Sequence, residues 1–555
     1  MKKIKVFPLI LGVFAAAAVF AVGFFALCVS LNVHNPGVWI LADVCLLAFI
    51  FVYRSASGKK DFGWETVRQK RGSKKAPKKT VRFRFSPKYY ILPAVLLGVI
   101  IVISVVGCEE LNARSYAGIL QIKSSDFAAD LSETVGTDSI ALMDTASARM
   151  LGDREIGTLS DVVSQFNVSD DYTQIDHQGK PVKVAALRYA GFFKWMSNKN
   201  DGVKGYVTVD PVSMSASFRT CDGMKYVPSA WFFQNAYRYL RMQYPTVMFE
   251  NLHFEIDESG KPYYVASVIE KTVALFGGKT VCGCIVLDPV TGESALYGLN
   301  DVPRWVDVVF NGDLICMQYN WYGTLRNGYL NSLFAKKGCQ RVTTYSPQED
   351  EDDAPVSDYG YVAKDGDIWI YTGVTSVNGD SSNIGFLLSN ERTGESRYYA
   401  IAGADEKSAM TAAEGEVQEK GYQASFPSLI NIDGAPTYIM VLKDSGGLVK
   451  LYAAVNVEQY NIVATAPEQT ACIEKYKALL GIRPQDAEEQ TITVTVADIR
   501  YIDIEGNTYI YLIGEDHTLY KAKAADYEDL LFVQPGDTLT LICAGNEIRS
   551  FEQQH

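Results

Sequence analysis

Three apolar runs open the chain, and an alternating pattern replaces them. Phe7–Leu31, Val38–Tyr53 and Tyr89–Gly107 are nearly free of charge. A helix needs ~20 apolar residues to cross a bilayer. The first and third runs satisfy that. The second is shorter and carries Asp43, so a re-entrant or interfacial arm is the alternative there. After Cys108 short apolar runs alternate with turn residues, as in small antiparallel sheets.

One turn recurs. "IDHQGKPVKVAAL" at 175–187, "IDESGKPYYVASV" at 256–268 and the looser "IDGAPTYIMVL" at 432–442 each set Asp, Gly and Pro between apolar runs. Gly supplies positive φ and Asp bonds the nearby backbone, which predicts a hairpin. A second signature trails each: "VTVDPVSMSASF" (207–218), "IVLDPVTGESALY" (285–297) and "AAVNVEQYNIVA" (453–464). Helix candidates precede: "GTLSDVVSQF" (157–166), "PSAWFFQNAYRYLRMQYP" (228–245) and "ADEKSAMTAAEGEVQEKG" (404–421). In the second, Ala230, Phe233, Tyr237, Leu240 and Tyr244 define one face at helical spacing. The unit is therefore a helix, a hairpin and a strand bent at a DP turn, with the helix laid across the sheet.

The expected class is α+β. Transmembrane helices come first, then repeated helix-on-antiparallel-sheet modules, then a small C-terminal barrel. The segments are a helical hairpin (1–54), a basic loop (55–88), a third apolar helix (89–108), modules at 109–220 and 221–300, an insert (301–385), a third module (386–482) and a barrel (490–555). In the insert, "VPRWVDVVF" (302–310) is expected as a short helix. "MQYNWYGTLRNGYLNSLF" (317–334) is expected as a loop whose rings pack back onto the sheet or stack on carbohydrate. "YVAKDGDIWIYTGV" (361–374) is a further hairpin, and "PEQTACIEKYKALLG" (467–481) a helix. Five strand-like runs after Thr491 fit an OB-type barrel.

The modules resemble PepSY-type domains, in which a helix pairs with a small antiparallel sheet ending in a "VDPxTGE"-like turn. Here Leu287–Glu293 reads "LDPVTGE", and "NERTGESRYY" (390–399) echoes it. The whole arrangement is similar to an uncharacterised family of Gram-positive, clostridial-type membrane proteins. The PepSY resemblance implies an extracytoplasmic, non-catalytic module that binds or restrains another protein.

Charge sets the sidedness. Residues 1–88 hold sixteen basic and three acidic side chains, and the remainder carries −25. Basic segments stay cytoplasmic, so everything after Cys108 is expected outside a membrane. A surface that negative repels nucleic acid. The basic loop serves as topology determinant or grips anionic lipid.

Ten Cys and five His show no metal-ligand spacing. Cys282 and Cys284 alternate along a strand and are expected on one face; Cys108 follows a loose lipidation box. The acidic run 348–353 reads as a solvated linker rather than a Ca²⁺ loop. No catalytic, cofactor-binding or metal residue is assigned, and no cofactor is expected. The leading function is a membrane-anchored binding or regulatory protein of the cell envelope, contacting a protein or wall polymer. Two rivals stand beside it. One is an envelope hydrolase using Asp365, Asp367 and Asp380 in the insert. The other is a membrane-complex subunit in which Asp43 contacts another helix.

Overall fold

In a computed structural model the described residues are 6–58, 62–69, 78–85, 87–131, 142–343, 360–377, 382–481, 489–504, 507–525, 527–544 and 546–553. The chain forms two compact units, Met1–Leu479 and Leu480–His555. The acidic run 348–353 and Asp380 lie outside the described residues.

Among the described residues two helices are long and apolar enough to cross a membrane: α1 (Val6–Phe25) and α2 (Pro36–Ala56). The second is longer than its apolar core predicts. Asn35 caps it by accepting from Gly37 N, and Pro36 supplies the preset φ of a first helical position. The third apolar run forms α3 (Ile91–Val106), of 16 residues. That is about 24 Å of helix, short of a ~30 Å hydrocarbon core. Only together with α4 (Glu109–Ala117), bent from it by 46°, does it pass as a span. Between α2 and α3 the strands Phe62–Gln69 and Lys78–Phe85 pair antiparallel.

The rest of the first unit repeats one plan four times, not three. Helix Thr145–Gly157 precedes a sheet in which Phe166–Val168 and Thr173–His177 share the neighbour Lys180–Tyr189, followed by Val203–Asp210 and Ser215–Met224. Helix Ala236–Gln243 precedes the meander Phe249–Ile256, Pro262–Glu270, Thr280–Leu287, Ser294–Gly298. Helix Gly312–Leu325 precedes Gly360–Lys364, Asp367–Ser376, Gly385–Asn390 and Ser396–Tyr399. Helix Glu406–Gly415 precedes Ser428–Ile432, Ala435–Lys443, Val449–Asn456 and Val463–Ala466. The boundary expected after residue 385 therefore runs through the middle of the third sheet. What reads as an insert supplies that sheet's helix and first hairpin. Strand Ile122–Ser124 completes the same sheet by pairing parallel with Ser396–Tyr398.

Consecutive sheets stack face to face. Phe254, Tyr264, Ala266 and Ile285 of the second sheet share a core with Ile175, Val184 and Val207 of the first. Its opposite face sends Val265, Cys284 and Val286 toward Ile370 and Leu387 of the third. Trp369, Tyr371 and Phe386 on the third sheet's far side meet Tyr438, Met440 and Ala453 of the fourth. Strands buried on both faces lose the simple alternation of apolar and polar positions, which is why Asp367–Ser376 is almost continuously buried.

The turns carry the repeat. Asp210, Asp288 and Asn390 each accept two backbone N–H groups from residues two and three ahead, and Asn456 accepts one from Gln459. Four residues past each of the first three, the chain turns left-handed, at Met214 (φ +54°), Gly292 (+81°) and Gly394 (+74°). In the hairpins, by contrast, the Asp residues are not equivalent. Asp433 is itself left-handed, whereas Asp176 sits in a strand and accepts from Gly179 N. The glycine is the shared element.

At Gly292 an added Cβ would lie 2.7 Å from the Tyr226 ring and 2.8 Å from the Tyr239 hydroxyl. Gly292→Ala combines that clash with a left-handed alanine, and should lower stability by about 1–3 kcal/mol. A urea midpoint equal to wild type would refute this.

Three local expectations fail for physical reasons. Helix Ala236–Gln243 starts late, at an Asn235 cap, so Ala230 and Leu240 are buried while Phe233 projects outward, 61% exposed. Residues 302–310 form no regular helix; Val306–Phe310 is a buried irregular segment tied down by side-chain and backbone bonds from other strands. The helix lies just beyond, Gly312–Leu325, capped by Asn311, in what reads as a loop because of its Asn, Gly and aromatic content. A fourth concerns Cys282 and Cys284. A bulge near Gly283 skips a residue in the ladder, so Cys284 enters the core shared with the third sheet and Cys282 packs toward the first. No two cysteines are bridged among the described residues.

In the second unit Glu489–Ile504, Asn507–Gly514, Leu519–Lys523, Thr538–Ala544 and Glu547–Gln553 pair in a cyclic order, first-second-third-fifth-fourth. Four seams are antiparallel. The third-to-fifth seam is a single parallel bridge, Lys521 to Glu547. Its interior holds Val496, Ile510, Leu512, Leu539 and Leu541.

Candidate functional site

Of the three carboxylates of the hydrolase reading, Asp365 and Asp367 sit in different surroundings, and Asp380 lies outside the described residues. Asp365 stands exposed at a hairpin turn beside Lys364. Asp367 is buried and taken by Arg392 and by Asn390 Nδ2 at 2.8 Å. Asp43 is buried in α2, with one carboxyl oxygen unpartnered among the described residues, and joins no site.

The polar centre of the first unit lies where the first three sheets converge. His253 and Glu255 occupy alternate positions of Phe249–Ile256, so both side chains leave one face of the strand. His253 Nδ1 faces the Asn251 carbonyl at 2.9 Å, which requires a proton on Nδ1, and Nε2 lies 2.8 Å from Glu255 Oε1. Asn251 is left-handed (φ +54°), a conformation Asn tolerates better than most side chains. Glu255 also accepts from Asp307 N and Val308 N, each at 3.0 Å. Asp307 in turn accepts from Asp176 N at 2.7 Å. One fully buried carboxyl thus fastens the irregular segment 306–310 to the second sheet and, through Asp307, to the first.

Two neighbouring carboxyls are held toward the neutral form. Burial, then the nearby Glu255, raises Asp307 far above the usual carboxylate range. Burial does the same to Glu391, with Glu255 adding to the shift and Lys183 opposing it. The Glu391 backbone carbonyl accepts from Val309 N and Phe310 N, which fixes its side chain at the junction.

Beside this cluster lies a cavity of about 430 Å³. Tyr172, Gln174, Tyr237, Asn251, His253, Tyr361 and Glu391 line it, with Arg149, Asp170, Asp171 and Asp313 also contributing. Lys183 is buried next to it, 3.3 Å from Thr145 Oγ1 and 4.8 Å from the Tyr361 ring centre. Three lining residues carry buried polar atoms with no hydrogen-bond partner among the described residues: the Tyr172 hydroxyl, both amide atoms of Gln174, and Glu391 Oε2. Buried polar groups are nearly always satisfied, and leaving one unpaired costs about 1–3 kcal/mol. Groups of these kinds can exchange hydrogen bonds with a ligand or with water.

Sequence reasoning passed over this site. The available signal was "LHFEI" (252–256), two ionisable residues on one face of an otherwise apolar strand. Gln174 and Glu391 carry no local signal. Among the described residues no group of His, Cys, Asp and Glu is placed to hold a metal ion.

No protein-family model matches the chain, and no curated protein does. Solved structures with a faint likeness include a cobalt-substituted Synechocystis apocarotenoid oxygenase, with 7% identity and a TM-score of 0.14 over 70% of this chain. A Trypanosoma rangeli sialidase also gives 7% and 0.14 over 70% of this chain. The chain spans 62% of the oxygenase and 54% of the sialidase. Similarity at that level carries no argument about fold or function.

Proposed function

We propose that the chain is a membrane-anchored, extracytoplasmic binding protein of the cell envelope, and that its cavity receives a neutral, hydroxyl-rich segment of an envelope polymer. The observation that carries this is the trio of buried, unpartnered groups at Tyr172, Gln174 and Glu391. An amide, a phenol and a carboxyl held toward its neutral form offer uncharged donors and acceptors, and Arg149, Asp170, Asp171 and Asp313 add charged ones to the lining. The rings of Tyr172, Tyr237 and Tyr361 add flat apolar surface of the kind sugars stack on. The volume falls within the range of small-ligand sites.

The anchor is read with its N-terminus in the cytoplasm. The positive stretch between α2 and α3 supports that orientation, as do the contacts of the α1–α2 connection with the large unit: Leu31 N bonds Pro245 O and Asn32 Nδ2 bonds Thr246 O. We read α3 with α4 as a third crossing. The four helix-then-sheet units are read as PepSY-like, stacked in the manner of blades, and the cyclic strand order of the second unit as OB-type.

Isothermal titration of the full chain in detergent with soluble glycan fragments of the wall tests the proposal. Binding should weaken by about tenfold or more in Gln174→Leu and in Glu391→Leu, since each leaves a ligand group unpaired. Equal affinity in both variants, or no binding by wild type across neutral glycans, would sink it. A second reading, acid–base chemistry on the same ligand, is favoured by Glu391, whose carboxyl burial holds toward the neutral form, lining the same cavity as His253. It requires turnover that Glu391→Gln abolishes while binding persists.

A further inference from the structure

A patch of exposed aromatic side chains lies away from the cavity. Phe193 is 74% exposed, Phe233 61%, Phe232 51% and Trp231 43%. They come from two places, helix Phe192–Asn198 of the first module and the turn before helix Ala236–Gln243 of the second. Ring contacts join them into one surface: Phe192 packs edge-on against Trp231 at 5.1 Å, and Trp195 lies 5.8 Å from Phe232. Phe232 is held in a left-handed conformation (φ +53°), a strained posture for a bulky residue, at the tip of this surface. An exposed cluster this aromatic needs a cover.

Its position says which cover. The Phe233 ring is 4.9 Å from Phe25, the last residue of α1, and the Arg238 guanidinium lies over the same Phe25 ring at 5.5 Å. The patch therefore continues directly from the end of an apolar helix. A second apolar tip lies near α4, the helix that follows α3. Leu330 is 70% exposed and Phe334 80%, followed by Lys336 and Lys337. Tyr329, just before that tip, packs with Tyr116 and Ala117 of α4. Aromatic rings beside Lys and Arg at the level where spans end are the composition of a membrane–water interface.

We propose that both tips insert into the outer leaflet beside the anchor, so that the first and second modules rest on the bilayer. This depends on the spanning role proposed for α1. The partner is the lipid interface itself, recognised by aromatic and basic side chains, with no lipid headgroup specified.

Photo-crosslinking in the full chain reconstituted into phosphatidylglycerol–phosphatidylethanolamine vesicles tests this. Benzoylphenylalanine replaces, one at a time, Phe193, Phe233, Phe334, Phe14 within α1, and Tyr460, an exposed turn residue of the fourth module. Lipid adducts at 193, 233 and 334 should come within about threefold of those at 14, and exceed those at 460 by about tenfold. Adducts at 14 with none at 193 or 233 would overturn the insertion while leaving the anchor intact. Protein adducts in place of lipid ones would overturn it in favour of a docking surface. Absence of lipid adducts at 14 would remove the spanning role, and the insertion with it.

Discussion

Glu255→Ala should be the most damaging single substitution at the centre of the first unit, lowering its stability by about 3–5 kcal/mol. The side chain has no exposed surface, accepts from Asp307 N and Val308 N, and lies 2.8 Å from His253 Nε2. Alanine leaves those donors buried without acceptors and releases the segment 306–310. Glu255→Gln keeps an acceptor oxygen and should fall between. The measurement is the urea midpoint in detergent micelles, and a loss below about 1 kcal/mol would show that water replaces the carboxyl at little cost. The same cluster gives a pH signature. Asp307 is raised in the fold, so between its unfolded value near 4 and its folded value the folded state holds the extra proton. Stability therefore falls as pH rises through that window. Asp307→Asn, which cannot titrate, should flatten the slope between pH 5 and pH 8; an unchanged slope would refute the assignment.

The second large effect is expected at Arg241. This guanidinium is 4% exposed, and among the described residues its hydrogen-bond partners are carbonyls: Cys28 O through Nε at 2.9 Å, with Tyr244 O and Val247 O through Nη1. It also lies 4.3 Å from the centre of the Phe249 ring. Burial pushes its pKa down to about 10, so it stays charged at neutral pH. Hydrogen bonds from charged donors contribute about 1.5–3 kcal/mol each, against which the cost of burying the cation must be set. Arg241→Ala should lose about 3 kcal/mol and uncouple the α1–α2 connection from the second module. Lysine, a point charge without the planar fork, should restore less than half. Thermal unfolding and alkylation of Cys28 read the two consequences separately. If Arg241→Ala melts with wild type and Cys28 reacts no faster, the latch has no energetic weight.

Much of the architecture was legible because turn chemistry is local. Gly179, Gly434 and the DP turn at Asp288 announce chain reversals whatever surrounds them, and the apolar run of α1 announces itself by length, whereas α2 gains its length from a cap and a Pro outside its apolar run. The helix registers were harder. Ala230 and Phe233 fall on one helical face only if the helix begins before Asn235, and the cap at Asn235 forbids it. Helix Gly312–Leu325 was hidden because its aromatic rings pack inward between two sheets, a tertiary choice that composition does not encode. The additional repeat, third in chain order, is hidden for a related reason: its hairpin at Asp365–Gly366 and its turn at Asn390 share no spacing with the other copies that would join them. The polar centre was the least legible part. Glu255, Asp307 and Glu391 come from three distant stretches and meet through the stacking of sheets.

The parallel pairing of Ile122–Ser124 with residues 396–398 bears on how the chain is made. The strand that emerges first after the last apolar helix has no partner until the ribosome has added nearly half the protein. At roughly 5–20 residues per second that is a wait of ~15 s or more. Until then the strand itself is unpaired, so folding of this region cannot finish in the order in which it is synthesised.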